Sequence, residues 1–198
     1  MRFNERKVAQ MAAFVLGQSQ EMKVPHLKLM ALLYLSDREA MRAFGWTISG
    51  DSLISMPHGP VLTQTFCLMV FALLEALMDD TVVARPGGWG EWISSNKMNH
   101  ELSLRQPLDA DALDELAPAE IEVLKAVWDK FADMDKWAIC YWTRQNCAEW
   151  KDPKDGPYRT IQYDALARAV GFDDASAKAV AEQIQAEHAI ARIFATIA

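Results

Sequence analysis

Residues 28–39 read KLMALLYLSDRE, and the first part of that run sets the fold. From Leu29 to Leu35 every side chain is apolar or aromatic, so a helix through it is hydrophobic on all sides and belongs inside a bundle. Ser36, Asp37, Arg38 and Glu39 turn the second half polar. Pro25 suits a first helical turn and Gly45 a stop, which predicts a helix over Pro25–Phe44. A second apolar run, Phe66 to Leu74, predicts another buried helix that starts at Pro60 and reaches Met78. Two buried central helices make the expected class mainly α, a single helical domain over residues 1–198.

Outward from that centre, Asn4 is placed to cap a first helix that stops at Gly17, with Val8, Met11, Ala12 and Val15 on one face. Between the two apolar helices, MPHGPV (residues 56–61) predicts a rigid entry corner. Pro57 keeps Met56 out of helical geometry, Gly59 frees a sharp turn, and Pro60 opens the next helix. Residues 80–105 break the helical pattern. There TVVAR, PGGWG and EWIS predict a small β insertion, a hairpin with a glycine-rich tip, with ELSL as a third strand. An acidic connector leads to helices at 118–131 and 134–149, and residues 150–198 form a C-terminal helical part capped at Thr160 and Asp173 and split at Gly171.

Composition narrows the function. Hydrophobic residues make up 51% of the chain and charged ones 24%, as in ordinary globular proteins. MRFNERKVAQ lacks the apolar core of a signal peptide, and Phe66–Leu74 is far shorter than the roughly 20 residues a bilayer needs. A soluble, cytoplasmic protein with reduced cysteines is expected, since Cys67, Cys140 and Cys147 cannot all pair within one chain. Cys140 and Cys147 lie two turns apart on one helix and read as packing residues. No CxxC, HxxxH or HExxH spacing suggests a metal, and no GxSxG, phosphate loop or nucleophile–base pattern suggests catalysis. Asp37 and Glu39 are two steps apart on a helix and diverge by about 200°. Neither cofactor nor turnover is expected.

Charge is uneven. Residues 1–79 balance at 7 − 7 = 0, whereas residues 80–198 carry 13 − 20 = −7. Nine carboxylates lie between Asp109 and Asp135, a field that repels phosphate backbones and attracts basic proteins. In the C-terminal part Ala167, Gly171 and Ala177 match helix-turn-helix spacing. Its second helix, however, starts Phe172-Asp173-Asp174, and residues 160–188 set Arg168 and Lys178 against five carboxylates. Nucleic acid is therefore a poor partner, and a DNA-binding transcription regulator encoded in a prophage is the alternative rather than the leading reading.

The stretch KLMALLYLSDREAMRAFGWTISGDSLISMPHGPVL resembles the core of the SocA-type antitoxin family, the Panacea domain. The resemblance lies in its Lys-Leu start, LLYLxDRE helix, Gly-Asp turn and Pro-His-Gly-Pro-Val corner. It continues through EIEVLKAVWDKFADMDKWAICYWTRQNCAEWKDP, with Trp128-x-x-Phe131 and Glu149-Trp150 ahead of a proline-bearing loop, and so runs over nearly the whole chain. It implies the antitoxin half of a toxin–antitoxin pair, often found in prophages, that binds a toxin encoded nearby directly. For the founding kind of member it further implies delivery of the toxin to an AAA+ protease.

Two readings of the corner stay open: His58 braces a tight turn, or Trp46, Asp51, His58, Gly59 and Pro60, with Asp37 and Arg38 beside them, shape a partner groove. Tryptophan favours interface hot spots. Trp89 and Trp92, in a glycine-rich segment with little to cover them, are expected to be exposed anchors, and Trp128, Trp137 and Trp142 to belong to the core.

Overall fold

The computed structural model describes residues 2–78, 87–96, 100–109, 112–154 and 156–197, the side chains of 72–78 and 191–197 excepted. The class is as expected: helices predominate, and the strands form two small three-stranded antiparallel sheets. Helix α1 (Glu5–Gly17) starts where Asn4 accepts hydrogen bonds from the Arg6 and Lys7 amides at 3.0 and 3.4 Å. After strand β1 (Lys23–Pro25), α2 (His26–Phe44) ends at Gly45, whose φ of +81° and N–H bond to the Met41 carbonyl form a left-handed cap that disfavours a side chain. Every residue from Leu29 to Asp37 is buried, with α1, α5 (Pro118–Phe131), α6 (Lys136–Asn146) and α7 (Tyr163–Ala169) packed against the helix. Pro118 in the first turn of α5, Asp135 at the cap of α6 and Asp173 ahead of α8 (Asp174–Ile197) place those boundaries as their residue types predict.

The corner differs. Pro60 does not open a helix: β2 (Leu53–Met56) and β3 (Gly59–Leu62) form a hairpin whose two-residue turn is Pro57-His58, with Pro60 opposite Ser55. With β6 (Arg159–Ile161) on the other side of β2, the order β3-β2-β6 makes β3 an edge strand, where a proline without an N–H is tolerated. Helix α3 (Thr63–Met78) begins only at Thr63, because the Asp51 carboxylate accepts from the Gln64 and Thr65 amides at 2.9 and 2.8 Å and caps it from a distance. Thr160 caps nothing; it lies in β6 (Arg159–Ile161), paired with Ile54.

Helix α3 is also not buried all round. It packs on β3 and on β4 (Ile93–Asn96), burying Thr65 and Met69 and leaving Cys67 exposed and Phe71 61% exposed. The expected hairpin lies one segment later than predicted. PGGWG leads into a one-turn helix, α4 (Trp89–Trp92), and the paired strands are β4 (Ile93–Asn96) and β5 (Glu101–Leu104), with β1 completing the order β1-β5-β4. TVVAR falls outside the described residues. Among the described residues no helix is long and apolar enough to cross a membrane.

Candidate functional site

The β2–β3 hairpin is held from both sides. Strand β6 pairs with β2, and beyond α6 the Trp150 Nε1–H donates to the Met56 carbonyl at 3.0 Å while the Lys151 amide donates to Ser55 Oγ at 3.1 Å. Gly59, at φ +137°, passes so close to α6 that a Cβ there would lie 2.8 Å from Thr143 Oγ1; only glycine fits. Between this hairpin, the start of α2, α3 and α6 opens a cavity of about 270 Å³. Its wall is apolar, with Met30, Met56, Phe66, Met69 and Val70 prominent and no carboxylate among the described residues of the lining. His58 stands at the rim, its ring edge-on to Trp137 with centroids 5.6 Å apart.

The expected groove residues divide into three groups. His58, Gly59 and Pro60 line this cavity together. Trp46, 45% exposed and stacked on Phe44, lies instead in a separate cleft against Phe172, Val180 and Ile184. Asp37, Arg38 and Asp51 face inward. Asp37 is fully buried and accepts from the Ser49 amide at 2.9 Å and from the Ser49 hydroxyl; burial pushes its carboxyl up to about 7, against those hydrogen bonds. Asp51 is raised for the same reason, opposed by its bonds to the start of α3, and the Tyr163 hydroxyl donates to its backbone carbonyl. Arg38 Nε donates to Glu149 Oε1 at 2.8 Å, an oxygen that also accepts from the Tyr34 hydroxyl at 2.7 Å. These groups carry tertiary structure. A charged residue on a helix reads as surface unless its partner is known, and Glu149 is 111 positions from Arg38.

The tryptophans correct the reading in both directions. Trp89 is only 2% exposed, its amide held by Glu5 Oε1 at 3.0 Å where α4 meets α1, and Trp92 is partly buried against the core. The glycines around Trp89 leave it uncovered locally, but α1 arrives from across the chain to cover it. Trp137, expected inside, is 55% exposed, while Trp128 and Trp142 pack on the core. Helix α6 and the two residues that follow it bury Ile139, Cys140, Thr143 and Cys147 and leave Trp137, Tyr141 (60% exposed), Arg144 and Ala148 exposed. The spacing i, i+4, i+7, i+11 of that second face was the available signal in the sequence.

Burial raises the Cys140 thiol and pushes Cys147 up to about 12, so both stay protonated near neutral pH. Among the described residues no three His, Cys, Asp or Glu side chains gather as metal ligands do. In the α7–α8 hairpin Arg168 is paired with Asp164 at 2.6 Å and Lys178 lies 3.8 Å from Glu182, so among the side chains described there little positive charge is left for a phosphate backbone. Part of the acidic field is neutralised at home: Asp114 meets Arg6 at 2.6 Å and Glu120 meets Lys7 at 2.8 Å.

Against models of known families, residues 29–151 match the one described as antitoxin SocA-like, Panacea domain. That segment spans α2, both hairpins, α5 and α6, and so holds most of the cavity. No curated protein and no solved structure matches the chain.

Proposed function

Because the chain belongs to the SocA-like antitoxin family, the Panacea domain, we propose that it neutralises a cognate toxin by direct protein–protein contact at the His58 hairpin and its cavity. The observation that carries the location is the open apolar cavity beside an exposed Trp137, on a hairpin braced by β6, Trp150 and Gly59. A rigid corner presents its surface at low entropic cost, and exposed aromatic residues next to an apolar recess are the usual makings of an interface hot spot. Non-enzymatic action fits the antitoxin family and the buried, hydrogen-bonded state of Asp37, Asp51 and Glu149.

Co-expression with the product of each adjacent open reading frame tests the reading. One product should arrest growth alone and cease to do so with this chain present. No rescue, with both proteins soluble, contradicts it. Delivery of the bound toxin to an AAA+ protease is a separate step: toxin half-life should then shorten in the presence of the antitoxin and recover in a protease-deficient host.

A further inference from the structure

Charge is distributed against the trend of the chain at this cavity. The sequence has 27 acidic residues and 20 basic ones, yet residues 52–71, which make the hairpin and the described face of α3, contain neither a carboxylate nor a lysine or arginine. Helix α6, with the residues up to Ala148, contains Lys136 and Arg144 and no carboxylate. The acid next to it in sequence, Asp135, caps the helix, accepting from the Trp137 and Ala138 amides at 2.7 and 2.8 Å, and interacts with the Lys136 charge more weakly than with those amides. Lys136 Nζ lies 5.6 Å from the Trp137 ring, and among the described residues no carboxylate pairs with Arg144. Arg144 stands two turns from Trp137 on the same face and one turn from Cys140 in the cavity wall, close enough for its charge to act on that thiol. An apolar recess, two exposed aromatic rings and two cations thus lie side by side.

From this juxtaposition we infer that the toxin segment docking here is acidic, with one bulky apolar side chain anchored in the cavity beside His58 and Trp137 and a carboxylate held by Arg144 and Lys136. The inference rests on the antitoxin reading above and adds the chemistry of the partner. It runs opposite to the basic partner that net charge alone suggests, because binding responds to the local field rather than to the sum over the chain. A nucleic acid is the weaker match, since two cations on a chain of net charge −7 offer little to a phosphate backbone.

The test uses the full chain and the purified product of the adjacent open reading frame, with Kd and association rate measured across a salt series. Trp137→Ala should weaken binding about 30-fold or more, as loss of an aromatic hot spot does. Lys136→Glu with Arg144→Glu should weaken it about 10-fold or more, mainly through association, and Arg144→Lys should stay close to wild type. All three variants should melt close to the wild type, because Trp137 and Arg144 are exposed and Lys136 is half-buried with no ion pair among the described residues. Equal or tighter binding by the charge-reversed variant overturns the acidic segment while leaving the antitoxin reading intact. Wild-type protein that binds no adjacent product defeats both. Self-association of the chain abolished by Trp137→Ala, or a duplex DNA shift abolished by the charge reversal, gives this face a different occupant and also overturns the inference.

Discussion

Replacing Arg38 by methionine separates a core role from a contact role at a residue that sequence reasoning placed in the partner groove. The Glu149 side chain has no exposed surface, and its Oε1 takes both the Arg38 Nε–H and the Tyr34 hydroxyl. Its Oε2 is buried with no hydrogen-bond partner, so the carboxylate depends on those two donors. Methionine keeps much of the stem's volume and removes the charge, leaving Glu149 buried with the Tyr34 bond alone. Breaking a buried pair this way costs about 3–5 kcal/mol. For a chain of this size, at roughly 2–4 °C per kcal/mol, the melting temperature should fall by about 6–20 °C. Changing Glu149 to glutamine as well removes the stranded charge while an oxygen still accepts from Tyr34. The double variant should therefore recover most of the loss, with a coupling of about 2 kcal/mol or more between the two sites. Urea unfolding of the four proteins closes the cycle. An Arg38→Met variant within about 1 kcal/mol of wild type but deficient in toxin binding would refute the core assignment and return Arg38 to the contact surface.

Asp37 predicts a pH dependence. Its folded carboxyl sits near 7, above the ordinary 3.8, so the stability it contributes is fully present below pH 3.8 and is lost as pH rises through about 7. Asp37→Asn should flatten the decline in unfolding free energy from urea titrations between pH 4 and 7 by up to about 1.4 kcal/mol per pH unit, and an unchanged pH profile would contradict the assignment. Trp89→Ala should destabilise the fold by about 3–5 kcal/mol and leave toxin binding intact in the folded fraction, as calorimetry at low temperature can check. Gly59→Ala should cost about 1–3 kcal/mol from the backbone alone, with a further loss from the clash with Thr143, and should weaken toxin binding. Wild-type stability for that variant would mean the hairpin is not clamped on α6 as described.

What the sequence made legible follows locality. Asn4, Gly45, Pro118, Asp135 and Asp173 act on the backbone within a few residues, so α1, α2, α5, α6 and α8 were placed close to their observed ends. Pro60 is ambiguous in sequence, because a proline suits an edge strand as well as a first helical turn, and β6, which closes that sheet, arrives from about a hundred residues away. Helix α3 looked buried because its sequence is apolar; Phe71 shows that apolar and covered are different properties. The site was half visible. His58, Gly59 and Pro60 were singled out and do line the cavity, whereas Asp37, Arg38 and Asp51 looked like surface only while Ser49, Glu149 and the amides of α3 were not known to be beside them. Trp137 and Arg144 were hidden by a helix that buries one face and offers a second.

Hydrogen–deuterium exchange of the chain, free and in complex with the toxin that it neutralises, tests where neutralisation takes place. Added protection is expected in peptides covering Met56–Pro60 and Trp137–Arg144, with little change across 109–131 and α8. Protection confined to the acidic connector or to the Trp46 cleft, with the His58 hairpin unchanged, would contradict it.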